Sequence, residues 1–163
     1  MTSATQIRTD FFLADATVTD AFGRWMAPVL TAGSVILLSG GIGAGKTQFA
    51  RAVVRARLGP QTEVPSPTFT LVQPYDDRGL AILHADLYRL THPDEVQELG
   101  LDEAAQRGIV LIEWPDRLAP DHYPDALHLT FMPLAEGRHV TAQGNHRLMA
   151  RVTDFATSRG RHG

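Results

Sequence analysis

The chain has 163 residues, of which 44% are hydrophobic and 20% charged, with a formal net charge of −3. That length and composition describe one globular domain, residues 1–163, able to bury a core without covalent staples. The absence of cysteine excludes disulfides, iron–sulfur clusters and thiolate zinc sites. The acidic balance argues against a surface that coats DNA or RNA.

The first thirteen residues carry Arg8 and Asp10 and lack the long apolar core of a secretory signal. The aliphatic run Val35–Leu38 is far too short to span a bilayer. The expected location is therefore the cytoplasm, away from membranes. Val18, Phe22, Trp25, Met26 and Val29 recur at helical spacing and predict an amphipathic helix over about 18–31. Thr17 and Thr19 are its candidate caps, and Pro28 strains its last turns.

Ser34–Ser39 reads as a buried strand, followed by a glycine-rich turn and a helix over 47–58 that stops at Gly59-Pro60. Residues 60–69 hold three prolines and predict a loop. Strands follow over 70–75 and 80–85 about an Asp76–Gly79 turn. Thr91–Asp94 starts a helix that ends near Gly100, and 102–107 makes a second, short one. Ile109–Ile112 is a further aliphatic strand. Alternation at Leu127, Leu129 and Phe131 marks a half-exposed strand over 126–132, which pairs with 138–142 through Glu136-Gly137. A last helix is expected over about 146–157, then a polar basic tail over about 158–163 that frays. The fold expected is α/β, a P-loop NTPase-like three-layer sandwich with a mainly parallel sheet and antiparallel strands at one edge.

Gly40-Gly41-Ile42-Gly43-Ala44-Gly45-Lys46-Thr47 fits G-x-x-x-x-G-K-[ST], between a strand and a helix as that motif requires. The glycines let backbone N–H groups curl around a phosphate, and the helix start adds its positive end. Lys46 reaches the β- and γ-phosphates, and the Thr47 hydroxyl is placed for Mg²⁺. Such a site also needs a carboxylate at the end of a buried strand. Glu113 ends Ile109–Glu113 and is the first candidate, although a helix cap or a surface carboxylate would occupy the same position. Asp86, at the end of the 80–85 strand, is the second candidate, with a helix cap nearly as good a reading. His84 shares the strand face of Asp86 and is read as structural. Ser66-Pro67-Thr68 lies where phosphate-loop proteins sense the γ-phosphate, but on the residues alone a proline-ordered turn is the better reading.

All but one of the fifteen basic residues are arginine, the exception being Lys46. Guanine-specific GTPases read their base with an N/T-K-x-D element, which needs a second lysine. ATP is therefore the expected nucleotide, with ATPase and small-molecule kinase both open.

Several further motifs stand in order along the chain: Ser66-Pro67-Thr68-Phe69-Thr70, His84-Ala85-Asp86-Leu87-Tyr88-Arg89, Glu98-Leu99-Gly100-Leu101 and Ile112-Glu113-Trp114-Pro115. With the phosphate loop, over roughly residues 15–140, they strongly resemble the bacterial TsaE (formerly YjeE) family of tRNA threonylcarbamoyladenosine biosynthesis. The resemblance implies phosphate binding by Lys46 and the loop amides, and Mg²⁺ binding by Thr47 and Glu113. It makes Asp86 an ATP-site carboxylate, Thr68 part of a switch-like loop and Trp114 a neighbour of the site. It brings Thr19 near the adenine and Arg138 near the nucleotide. It implies slow ATP hydrolysis that resets a complex of TsaD and TsaB, with tRNA contacted through that complex. The sequence departs from the family's usual acid after the first loop glycine, having Gly41 there. A small-molecule kinase would instead need an acceptor site and an arginine lid, and Arg51, Arg55 and Arg57 lie on the loop helix, facing the wrong way. A nucleotide-binding adaptor without hydrolysis is the other alternative.

Overall fold

A computed structural model describes residues 6–159. The basic tail therefore lies outside the described residues except for its first two positions. Seven strands form one sheet: β1 (Ile7–Leu13), β2 (Val35–Gly40), β3 (Val72–Asp77), β4 (Leu80–Asp86), β5 (Ile109–Glu113), β6 (Leu127–Pro133) and β7 (Arg138–Gly144). Their order is β1-β7-β6-β2-β5-β4-β3. The centre, β6-β2-β5-β4, is parallel, while β7 and β1 on one side and β3 on the other join it antiparallel. Antiparallel strands thus flank both edges, not one. β5, at the centre, is buried throughout, as its unbroken aliphatic run requires.

Helices α1 (Ala16–Met26), α2 (Lys46–Leu58) and α4 (His146–Arg159) share a core with the sheet face that carries Ile36, Leu38, Leu111 and Leu129. Phe22 is the hub of this core. Its ring centroid lies 5.1 Å from those of Phe11 and Phe49 and 4.9 Å from that of Phe155. Burying a side chain of this kind contributes about 1.5–3 kcal/mol. Helix α1 approaches α2 closely because Gly23 has no side chain. A Cβ there would stand 2.5 Å from that of Ala52. On the other face a thinner layer, the short α3 (Leu101–Arg107) and a 3₁₀ segment over Pro93–Leu99, packs with Val110, Ile112 and Ala85.

Five local expectations change. Strand β1 was not anticipated. Its Arg8-Thr9-Asp10 start is polar, but Phe11 and Leu13 reach the core. Helix α1 is capped by Asp15, whose Oδ1 accepts the Val18 N–H at 3.0 Å, and neither Thr17 nor Thr19 caps it. The α-helix stops at Met26, and Pro28 sits in a 3₁₀ turn over Ala27–Val29, where its missing N–H costs less. The segment from Pro93 is 3₁₀ rather than α, and the first strand of the 70–85 hairpin begins only at Val72, after Leu71 at φ 67°.

Candidate nucleotide site

The phosphate loop leaves the end of β2 and enters α2 directly. Gly40, Gly43 and Gly45 all have positive φ, and Gly45, at 114°, is the residue before α2 begins. A side chain there would meet the Arg138 guanidinium, so glycine lets the arginine lie against the loop. Arg138 donates in turn to Gln48 Oε1 at 3.2 Å. Gln48 donates to the Ala16 carbonyl at 2.9 Å, which ties α1, α2 and β7 together at one corner.

Lys46 is 4% exposed and folds back over its own loop. Its ammonium donates to the carbonyls of Gly40 and Gly41 and lies 4.0 Å from the Trp114 ring centroid. Burial pulls its pKa below the ordinary lysine value, while the carboxylates of Glu113, Asp86 and Asp116 pull it back up. Trp114 adopts φ 60° directly after β5, and its ring centroid lies 4.8 Å from that of Tyr88, the planes tilted by 48°. That left-handed turn bends the chain beside Lys46.

The carboxylates come from neighbouring strands. Asp86 and Glu113 are register partners at the ends of β4 and β5, and both are buried. Glu113 accepts from the Thr47 hydroxyl at 2.7 Å and 2.9 Å. Asp86 accepts from the Tyr88 N–H at 2.9 Å and the Thr68 hydroxyl at 3.2 Å, and Thr68 meets Ser66 Oγ at 2.8 Å. A cleft of about 430 Å³ opens over these groups, lined by Ile42, Gly43, Ala44, Gly45, Lys46 and Thr47 of the loop, by Thr68, Asp86, Glu113 and Trp114, and by Arg138. Ile42 on the loop and Phe69 beside Thr68 are 82% and 83% exposed.

Of the residues singled out from sequence, the structure gathers all but three at the cleft wall. Gly40 and Gly41 lie at the mouth of the loop, where their carbonyls hold Lys46. Thr19 is fully buried in α1, its hydroxyl donating to the Asp15 carbonyl at 3.3 Å, and it does not line the cleft. Ser66 of the Ser66-Pro67-Thr68 loop lines it too, as do Gln48 and Tyr88, to which sequence reasoning gave no role. Sequence reasoning also left His84 as a structural residue. The signal for His84 was the strand alternation H-x-D, which puts it on the face of Asp86. Nothing in the sequence marked Gln48.

Comparison with known proteins decides the family. The model of "Threonylcarbamoyl adenosine biosynthesis protein TsaE" matches residues 13–140. The chain belongs to the TsaE family. Among similar proteins, a tRNA threonylcarbamoyladenosine biosynthesis protein TsaE of Rickettsia felis is 36% identical over 140 residues, covering 86% of this chain and 77% of that one. A Nostoc protein of the same name is 43% identical over 115 residues, 68% of this chain and 70% of its own. The crystal structure of Bacillus subtilis YdiB superposes with a TM-score of 0.68 at 24% identity, covering 97% of this chain and 99% of that one, a likeness of fold. The family places the chain in tRNA threonylcarbamoyladenosine biosynthesis, on a fold of the P-loop NTPase type. No helix among the described residues is long and apolar enough to cross a membrane.

Proposed function

We propose that the chain binds ATP·Mg²⁺ in the Lys46 cleft and hydrolyses it as the nucleotide-driven component of tRNA threonylcarbamoyladenosine formation, acting on a TsaB–TsaD complex in the cytoplasm and meeting tRNA through that complex. The observation that carries this reading is the meeting of Thr47 Oγ1 with the buried carboxylate of Glu113, 2.7 Å apart, at the start of the phosphate-loop helix.

The donor set fits the group it would hold. A hydroxyl and a carboxylate are hard oxygen ligands, the kind Mg²⁺ takes alongside phosphate oxygens. When bound, the ion neutralises phosphate charge and polarises the transferring group. The chain's own residues do the rest. Loop amides and the N-terminal end of α2 cradle phosphate oxygens. Lys46, held by two carbonyls of its own loop, is a cation free to exchange them for phosphate. Asp86, oriented by the Tyr88 N–H, accepts a hydrogen bond from the attacking water, and Thr68 couples that carboxylate to the loop over 66–70. Arg138 brings a positive guanidinium to the cleft wall, and Trp114 excludes water beside Lys46.

A kinase lid has no arginines to draw on from the loop helix. Arg51 and Arg55 donate to the carbonyls of Val64 and Thr62, and Arg57 pairs with Asp77 at 2.7 Å. The deciding experiment is phosphate release with and without TsaB and TsaD. Release that rises on adding both and is lost in Glu113→Ala supports the reading. Stoichiometric transfer of phosphate to a small-molecule acceptor would overturn it.

A further inference from the structure

His84 has no part in the reading above, yet it touches the centre of the site. Its side chain is fully buried, and Nε2 lies 2.6 Å from Glu113 Oε2. Its Nδ1 is buried without a hydrogen-bond partner. The β4–β5 register sets His84 opposite Leu111 and Asp86 opposite Glu113. His84 is thus diagonal to Glu113 on the same face, one step deeper in the sheet.

A carboxylate buried this far must be satisfied by donors. Glu113 has two. The Thr47 hydroxyl spans both oxygens, at 2.7 Å from Oε1 and 2.9 Å from Oε2. The imidazole meets Oε2 alone. A carboxylate only accepts, so the contact at Nε2 needs an N–H there, and Nδ1 in the neutral ring is then a bare acceptor. With Oε2 committed to the interior, Oε1 is the oxygen left for the cleft.

We propose that His84 is a positioning residue, which anchors Glu113 Oε2 from inside the sheet so that Oε1, beside Thr47, is presented to the divalent cation. This rests on the ATP·Mg²⁺ reading. Partners behind a metal ligand of this kind typically change metal affinity or activity about 10–100-fold when removed.

The test separates donor geometry from packing. His84→Gln carries an amide N–H to the place of the imidazole Nε2. His84→Asn buries the same amide, but too short to reach. His84→Leu has no donor. The readout is the Mg²⁺ concentration that half-restores affinity for the slowly hydrolysed analogue ATPγS, measured by calorimetry against an EDTA baseline, together with the thermal midpoint. We expect that concentration to rise about 10–100-fold in His84→Asn and His84→Leu, and to stay within about threefold of wild type in His84→Gln. The EDTA baseline stays level throughout. A wild-type Mg²⁺ requirement in folded His84→Leu would overturn the proposal, and so would a Gln variant no better than Asn. Should the Leu variant fail to fold, the Gln–Asn pair decides alone. A wild-type protein whose ATPγS affinity ignores Mg²⁺ would sink the nucleotide reading itself, and this proposal with it.

Discussion

The Lys46 cleft and a second cleft of about 550 Å³ on the opposite sheet face share two stretches of backbone. Ser39 lines the second and Ile42–Thr47 the first, and likewise Pro115 and Asp116 line the second, with Glu113 and Trp114 in the first. The second is the larger, but its Ser39, His122, Tyr123 and His128 already have partners. Ser39 Oγ meets His128 Nε2 at 2.7 Å, while His122 and Tyr123 both bond Asp102, at 2.7 Å and 2.6 Å. In the first, the Lys46 ammonium is held by carbonyls of its own loop and the Trp114 ring, and the two buried carboxylates Asp86 and Glu113 share the cleft with it. Volume does not nominate a site. Charges placed where a ligand can recruit them do.

The strongest way to break this comparison is to delete the cation. Lys46→Ala should cost about 2–5 kcal/mol of ATP binding, because it strips a buried charge partner from the phosphates. The fold should persist, since Lys46 contributes little to either apolar cluster. Ser39→Ala, one residue before the loop, should leave ATP affinity unchanged. Calorimetric titration of both variants decides the matter. Equal losses would show that the two clefts are one site energetically.

A smaller effect is expected at the loop's last glycine. Gly45→Ala forces a side chain into the left-handed region and into the Arg138 guanidinium. Backbone strain of this kind costs about 1–3 kcal/mol, visible as a lowered thermal midpoint and weaker ATP binding. Adding Arg138→Ala should relieve the collision but not the strain, so the double variant recovers only part of the stability. Full recovery would mean that the backbone conformation itself is cheap.

How much of this could be read from sequence follows from where each signal resides. The phosphate loop, β5 with Glu113 and the β4 end with Asp86 were legible because local pattern and chemistry coincide there: an aliphatic run, then a carboxylate or a glycine turn. Strand β1 was not, since its outward residues Arg8 and Asp10 mask a two-residue hold on the core by Phe11 and Leu13. The Asp15 cap was missed in favour of nearby threonines because propensity alone does not set the frame of a helix. Thr19 was assigned to the site by resemblance, and its burial in α1 depends on tertiary packing that no local pattern encodes. Gln48 and His84 act through partners on other strands and helices, so their roles exist only once the sheet register is fixed.

The finest distinction between the clefts is in how they respond to acid. Burial holds the pKa of His128 below its ordinary value of 6.5, and no opposing charge lifts it. The folded chain therefore keeps this imidazole neutral where the unfolded chain protonates it. The unfolded state then binds more protons, so stability falls as pH drops through 6.5 toward the lower folded-state pKa, and no penalty remains above that range. His128→Gln preserves a hydrogen-bonding partner for Ser39 but cannot titrate. Its denaturation curve should match wild type at pH 8 and fall less steeply on the acid side, with ATP affinity at pH 8 unmoved. Parallel pH profiles for the two proteins would mean that the second cleft admits enough water to charge His128 freely, and the contrast between a self-satisfied cleft and a recruiting one would have to be given up.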